Sequence, residues 1–85
     1  MRVVVVSKQQ TDYARQVDDY LFDFKRLTGH DLEVIDPESR DGINFCMAYD
    51  ILEYPTLIAI SDDGQVQNQW KGLPLPTMSE VSYYV

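Results

Sequence analysis

Residues 3–6 read Val-Val-Val-Val, a continuous β-branched run near the start of the chain. Such a run is typical of a strand that is buried on both faces, as in parallel sheets with helical crossovers. The apolar residues that follow fall at helical spacing, at Val17, Tyr20, Leu21, Phe24 and Leu27. We therefore expect a first helix whose apolar stripe faces the strand, with Thr11 as its N-cap and Gly29 just beyond its end.

A second strand and a second helix follow the first helix. Residues 32–35 read Leu-Glu-Val-Ile and end at Asp36-Pro37, a pattern typical of a short strand. The strand, helix and strand form a βαβ unit, so the two strands are predicted to be parallel. A helix is predicted over residues 39–50, with its apolar side drawn from Ile43, Cys46 and Met47 and with Phe45 and Tyr49 also available.

The rest of the chain predicts a hairpin and a short helix. Residues 56–60 and 66–70 are strand-like and are joined through Asp62-Asp63-Gly64-Gln65, in which Asp-Gly is a strong hairpin signal. Residues 77–80, Thr-Met-Ser-Glu, have the spacing of a capping box, which Pro76 and Val81 would complete as a hydrophobic staple. The predicted order is therefore β-α-β-α-β-β-α, an α/β arrangement.

Three segments of this chain resemble the thioredoxin-like superfamily, and in particular its small glutaredoxin-type domains. Residues 4–14, Val-Val-Val-Ser-Lys-Gln-Gln-Thr-Asp-Tyr-Ala, resemble the glutaredoxin opening strand and the loop after it. Residues 49–57, Tyr-Asp-Ile-Leu-Glu-Tyr-Pro-Thr-Leu, resemble the segment that contains the family's cis-proline. The turn at residues 62–64 and the Trp-Lys-Gly of residues 70–72 are similar to its closing hairpin. The resemblance implies a thioredoxin-like fold over residues 1–85 as one domain, a four-stranded mixed sheet with helices on both faces.

The chain departs from that family at the redox motif. Where glutaredoxins carry Cys-Pro-Tyr-Cys, this sequence has Thr11-Asp12-Tyr13-Ala14 and keeps only the tyrosine. A thiolate at a helix N-terminus is the species that attacks disulfides, and a threonine hydroxyl cannot replace it at neutral pH. We therefore expect a redox-inactive domain with no catalytic residue at this motif.

The resemblance also indicates where a ligand would bind. Lys8 matches a lysine that contacts a glutathione carboxylate in glutaredoxins, and Tyr13 matches a tyrosine that lines that site. Pro55 is implied to follow a cis peptide bond that presents the backbone of Tyr54 to an extended ligand. The predicted binding residues are Lys8, Thr11, Asp12, Tyr13, Ala14, Tyr54 and Pro55. The carboxylate of Asp12, expected in the first helical turn, disfavours anionic ligands such as glutathione, and the family's γ-glutamyl-binding residues are not recognisable after the last strand.

Three classes of function stay open on the sequence. One is a non-catalytic module that binds a peptide, a protein partner or a thiol metabolite beside Pro55. The alternative is a thiol oxidoreductase that acts in redox homeostasis through glutathione or through Cys46, the only cysteine, whose position on the apolar side of a helix favours packing. A structural subunit is a third reading. We expect the chain to be a monomer or a weak homodimer.

Composition excludes several other classes. Fourteen acidic and seven basic side chains give a formal charge of −7, which disfavours nucleic acid and anionic membranes as partners.

His30 is expected in an exposed loop, and because no second ligand stands at suitable spacing we predict neither a metal site nor a cofactor. Trp70 and the pair Tyr83-Tyr84 are expected to pack against the core. No stretch approaches about 20 apolar residues, and we expect a small acidic protein of the cytoplasm.

Overall fold

A computed structural model describes residues 1–85. The elements are β1 (Arg2–Val6), α1 (Ala14–Thr28), β2 (Glu33–Ile35), α2 (Arg40–Tyr49), β3 (Thr56–Ile60), β4 (Val66–Lys71) and α3 (Met78–Ser82). Their order, β-α-β-α-β-β-α, confirms the order predicted from the sequence.

The four strands form one mixed sheet with the spatial order β2-β1-β3-β4. β1 and β2 run parallel, with Val5 opposite Val34, whereas β1 pairs antiparallel with β3 and places Val5 opposite Leu57. β3 and β4 form the antiparallel hairpin. The central pair β1 and β3 is almost entirely buried, as the β-branched run predicts.

The two faces of this sheet bury separate cores, because successive side chains of a strand point to opposite sides. Val3 and Val5 pack with α1 and α3 in a cluster completed by Val17, Phe24, Leu57, Ala59 and Val81. Val4 and Val6 pack on the other face in a cluster completed by Cys46, Ile51, Ile58 and Ile60. The helices therefore lie on both faces, with α1 and α3 on one and α2 on the other.

The helix ends follow from their capping residues. Gly29 ends α1 in the left-handed conformation, φ 77°, and its N–H donates to the carbonyl of Lys25 at 2.8 Å, as predicted. Ser39 caps α2 by accepting the N–H of Gly42 at 3.0 Å. Thr77 caps α3 by accepting the N–H of Glu80 at 3.2 Å, which confirms the predicted capping residue.

The predicted start of α1 is wrong. Residues 11–13 form a turn that the N–H of Ala14 closes by donating to the carbonyl of Thr11 at 3.2 Å. The helix begins at Ala14, so Tyr13 occupies the cap position without a side-chain cap, and Asp12 lies before the first helical turn. Thr11 is not an N-cap because it lies too far before the helix and no backbone N–H donates to its hydroxyl, which itself donates to the carbonyl of Lys8 at 3.4 Å.

Three further packing predictions are wrong. Leu27 is 64% exposed. Helical spacing identifies the apolar face of a helix, but it does not show whether a neighbouring element covers every residue on that face. Ile43 and Met47 are 48% and 77% exposed, and α2 instead turns Gly42, Phe45, Cys46 and Tyr49 inward. Tyr83 is exposed, contrary to the prediction. Tyr84 and Trp70 do pack as predicted, edge-on to each other with their ring centroids 5.7 Å apart.

None of the three helices has the length and apolar character that crossing a membrane would require.

Candidate functional site

The loop between β1 and α1 is held by hydrogen bonds among the predicted binding residues. The backbone N–H of Lys8 donates to the hydroxyl oxygen of Tyr13 at 3.3 Å, and the hydroxyl of Thr11 donates to the carbonyl of Lys8 at 3.4 Å. These two bonds fold residues 8–13 back on themselves. Lys8, Thr11 and Tyr13 therefore form one local unit at the end of β1.

Lys8 connects this loop to the segment before β3. Its ammonium nitrogen lies 5.3 Å from the centre of the Tyr54 ring, within the range of a cation–π contact. Such a contact is favourable at a partly exposed site because the ring face carries negative electrostatic potential. The structure thus brings the loop and Tyr54 together, as the predicted site requires.

The segment at Tyr54 and Pro55 offers free backbone groups. The peptide bond between the two residues is cis, as the resemblance implies, and the carbonyl of Pro55 accepts the N–H of Gly72 at 2.9 Å. The N–H and C=O of Tyr54 make no hydrogen bond within the chain. Because backbone polar groups are usually paired, a donor and an acceptor side by side at a half-buried residue can pair with an extended ligand.

The phenol of Tyr54 also lies close to the thiol of Cys46. Partial burial, followed by the neighbouring Cys46, raises the pKa of Tyr54 above its usual value, so this phenol stays protonated well above neutral pH. Cys46 is 8% exposed and belongs to the core cluster beneath α2, in agreement with the packing prediction. Tyr54 therefore contacts both Lys8 in the loop and Cys46 on α2.

Asp12 and Ala14 make no side-chain hydrogen bond with the other predicted binding residues. Asp12 is exposed and makes no hydrogen bond or ion pair, and Ala14 is the half-buried first residue of α1. None of the four cavities on the molecule is lined by Lys8, Thr11, Tyr13 or Ala14. Lys8, residues 11–14 and Tyr54 thus form an open surface next to Pro55, whose own side chain is fully buried, and we call it the Pro55 surface.

The groups that the Pro55 surface presents can form hydrogen bonds and charge or aromatic contacts. The hydroxyl of Thr11 donates to a backbone carbonyl, and no histidine or carboxylate accepts its proton. What this surface offers a ligand is a cation at Lys8, an aromatic face at Tyr54 and the free peptide groups of Tyr54.

Sequence reasoning missed a larger feature on the outer side of α2. A cavity of about 410 Å³ is lined by Pro37, Ile43, Cys46, Met47, Asp50, Ile51, Leu52 and Tyr54. A smaller polar cavity of about 110 Å³ adjoins it and shares Asp50 and Leu52. The sequence signal for this cavity is the i, i+4 pair of apolar residues Ile43 and Met47, which the helical pattern predicts to face the core.

Three or more histidine, cysteine or carboxylate side chains do not come together anywhere in the chain in a group that could hold a metal ion. His30 is exposed in the loop between α1 and β2, where the sequence predicts it.

Comparison with known proteins supports the architecture alone. Neither a scan of protein-family models nor a search of curated proteins finds a match. Among solved structures, the chain is similar to thioredoxin 1 from the thermophilic eubacterium Thermosipho africanus TCF52B, with a TM-score of 0.67 and 14% sequence identity. The match covers 99% of this chain and 89% of that one. The expectation of a thioredoxin-like fold is confirmed, and at this identity the similarity extends no further than the fold.

Proposed function

We propose that this thioredoxin-like chain is a non-catalytic, cytoplasmic binding domain that holds an extended segment of a peptide or protein partner on the Pro55 surface. The observation that carries the proposal is the pair of free backbone groups at Tyr54, next to Lys8 and the β1–α1 loop. An extended ligand that lies along Tyr54 would satisfy its N–H and C=O, as in strand addition to a sheet edge.

The absence of a nucleophile beside this surface supports a binding role over a redox role. Thr11 and Ala14 stand where a dithiol enzyme needs two thiols, and the only cysteine, Cys46, is in the core under α2. A thiol that is only 8% exposed lacks the solvent access that reactive cysteines have. The alternative of a glutathione- or Cys46-dependent oxidoreductase would therefore need the ligand's own thiol or better access to Cys46 through the cavity that it lines.

The test is a titration of the folded protein monitored by backbone amide NMR. The probes are the blocked pentapeptide Gly-Val-Thr-Val-Gly, reduced glutathione and oxidised glutathione. We expect saturable shifts at the amides of Lys8, Tyr13 and Tyr54 with the peptide, and no reduction of insulin disulfides by the protein in the presence of glutathione.

Two tyrosine variants form a matched pair for this test. Tyr54→Ala removes the ring beneath Lys8 and is expected to weaken peptide binding about fivefold, whereas Tyr83→Ala removes a ring that is 82% exposed elsewhere and leaves it unchanged. Shifts confined to residues outside the Pro55 surface would contradict the proposed site. Turnover of insulin or a glutathione mixed disulfide would contradict the non-catalytic role.

A further inference from the structure

The cavity on the outer side of α2 presents apolar side chains that the fold leaves uncovered. Met47 and Leu52 are 77% and 81% exposed and Ile43 is 48% exposed, yet all three line one cavity of about 410 Å³ together with Pro37 and Tyr54. Scattered apolar residues on a surface need no explanation, but a cavity lined by several of them is typical of a docking site. We call this cavity the α2 groove.

The charged side chains that line the α2 groove and the adjoining smaller cavity are two carboxylates and one ammonium group. Asp50 lines the groove and the adjoining smaller cavity, which is also lined by Glu53 and by one cation, Lys71. Neither Asp50 nor Glu53 takes part in an ion pair. Asp50 also stands at the C-terminal end of α2, whose last turn has no basic residue, so the helix dipole adds to the negative potential there.

The smaller cavity contains a polar group without a partner. The side-chain nitrogen of Gln69 is buried and makes no hydrogen bond within the chain, and Gln69 lines this cavity beside Thr56. A buried amide of this kind is stabilised when a ligand supplies a hydrogen-bonding group. The two adjoining cavities therefore offer an apolar site, a site for a cation and a hydrogen-bonding group in one continuous surface.

We propose that the α2 groove binds a segment of a partner protein in which an apolar side chain lies next to a lysine or arginine. The apolar side chain occupies the space between Ile43, Met47 and Leu52, and the basic side chain reaches Asp50 and Glu53. A second copy of this chain is a poor occupant because each copy carries a formal charge of −7 and like charges repel. The inference goes beyond the proposed function, since the groove shares only Tyr54 with the Pro55 surface and would bind its ligand whether or not that surface does.

The experiment uses three blocked hexapeptides, Gly-Ser-X-Lys-Ser-Gly with X as Leu, Phe or Met, titrated into the full chain and followed by the methyl NMR signals of Ile43, Met47 and Leu52. We expect saturable shifts of these methyl groups with at least one peptide, and binding that weakens as salt is added. Replacing the lysine of that peptide by glutamate is expected to weaken binding at least tenfold, because attraction to the two carboxylates becomes repulsion.

Matched variants separate the two parts of the site. Met47→Gln is expected to weaken binding about fivefold, whereas Phe22→Gln, at an exposed apolar residue of α1, leaves it unchanged. Asp50→Asn keeps a residue type that tolerates the left-handed backbone at this position, φ 56°, and is expected to weaken binding about threefold. Asp18→Asn, on the exposed face of α1, is the control for charge.

Three outcomes overturn the proposal. One is the absence of saturable methyl shifts with all three peptides at millimolar concentration, and another is equal affinity for the lysine and glutamate peptides. The third is self-association of the free chain in sedimentation that Met47→Gln abolishes, because the occupant would then be a second copy. Shifts at these methyl groups in a protein whose Lys8 and Tyr13 amides stay unshifted would support the α2 groove and leave the Pro55 surface to its own test.

Discussion

The two faces of the sheet are covered to different extents. On one face, α1 and α3 bury a cluster of seven residues around Phe24, and Tyr84, Trp70 and Met78 pack at its margin. On the other face, the ten-residue helix α2 buries a cluster of six, and Met47 and Leu52 stay in contact with solvent. Each face keeps a cavity of about 410 Å³. The cavity beside α1 and α3 is lined mainly by polar residues, and we call this face the closed face, whereas the cavity beside the single short helix α2 is lined mainly by apolar residues, and we call that face the open face.

The residues that stabilise the fold and the residues that are available to bind a ligand therefore lie mainly on different faces of the sheet. Side chains buried on the α1 and α3 face lose contact with water on folding and contribute stability. The exposed side chains around α2 contribute little to folding because they are hydrated in both states. Substitutions on the two faces should therefore have effects of different size and different kind.

The largest effect is expected on the closed face. Phe24 is fully buried at the centre of the α1 and α3 cluster. Phe24→Ala should lower the free energy of unfolding by about 3–5 kcal/mol, through lost burial and the cavity that remains. Urea denaturation followed by circular dichroism measures this loss. Phe24→Leu, which keeps most of the volume, should cost less than half as much, and equal losses in the two variants would contradict a packing origin.

A smaller loss is expected where α2 meets the loop before it. A Cβ atom on Gly42 would lie 1.7 Å from the carbonyl oxygen of Asp36, so any larger residue forces the helix away from the loop. Gly42→Ala should cost about 1–3 kcal/mol, although alanine is the better helix former. Urea denaturation again measures the cost.

Ala48→Gly is the reciprocal control on the same helix, at an exposed position. It should cost about 1 kcal/mol from helix propensity alone. A gain in stability for Gly42→Ala would show that the close approach to Asp36 does not restrain α2.

Much of the fold could be predicted because local signals agreed with the global arrangement. The β-branched run at residues 3–6 identified the central strand, Gly29 marked a helix end, and Thr77 with Glu80 marked a helix start. The parallel and antiparallel pairings then followed from connection length, since a helical crossover joins β1 to β2 and a tight turn joins β3 to β4.

The orientation of α2 could not be predicted, because periodicity does not distinguish a buried stripe from an exposed apolar one. Ile43 and Met47 have core spacing, but Gly42 has to face the carbonyl of Asp36, and the following residue is then rotated by about 100° toward solvent. The tertiary contact at Gly42 and the inward packing of Phe45 and Cys46 set this rotation together.

The candidate site was predicted in part. Lys8, Tyr13 and Tyr54 come together as the resemblance implied, because a strand end and the following loop reach the segment before β3. Thr11 is predicted as the N-cap of α1, but the helix begins at Ala14, two residues later than a cap at Thr11 requires, and no backbone N–H donates to the Thr11 hydroxyl. Boundaries of this kind depend on loop geometry that residue type alone does not specify.

On the closed face, lowering the pH should weaken the contact between α3 and β4 that the hydrogen bond between Trp70 and Glu80 makes. The hydroxyl of Thr77, followed by the indole N–H of Trp70, lowers the pKa of Glu80 from its ordinary value of 4.5. Because the folded pKa is the lower one, the carboxylate stabilises the fold above the unfolded value, and this contribution is lost as the pH falls through the folded pKa. Fluorescence of Trp70, the only tryptophan, during urea denaturation at several pH values between about 6 and 3 follows the loss.

Glu80→Gln should flatten this acid dependence because the titrating carboxylate is gone. Glu38→Gln, which removes an exposed carboxylate near the start of α2, is the control and should keep the slope of the parent chain. If the two variants showed the same slope as the parent, the bond of 3.1 Å between Trp70 and Glu80 would not contribute to the acid dependence.

The smallest effect on folding is expected at the open face, where it is the most informative about function. Leu52 is 81% exposed and lines the α2 groove, so Leu52→Ser should change the free energy of unfolding by no more than about 0.5 kcal/mol. The same substitution should weaken binding of the basic hexapeptide, because the apolar wall of the groove is lost. Urea denaturation and the methyl NMR titration, carried out on one variant, measure the two effects separately. A loss of stability comparable to that of Phe24→Ala would mean that Leu52 is part of a closed core in solution, and the contrast between the two faces would then fail.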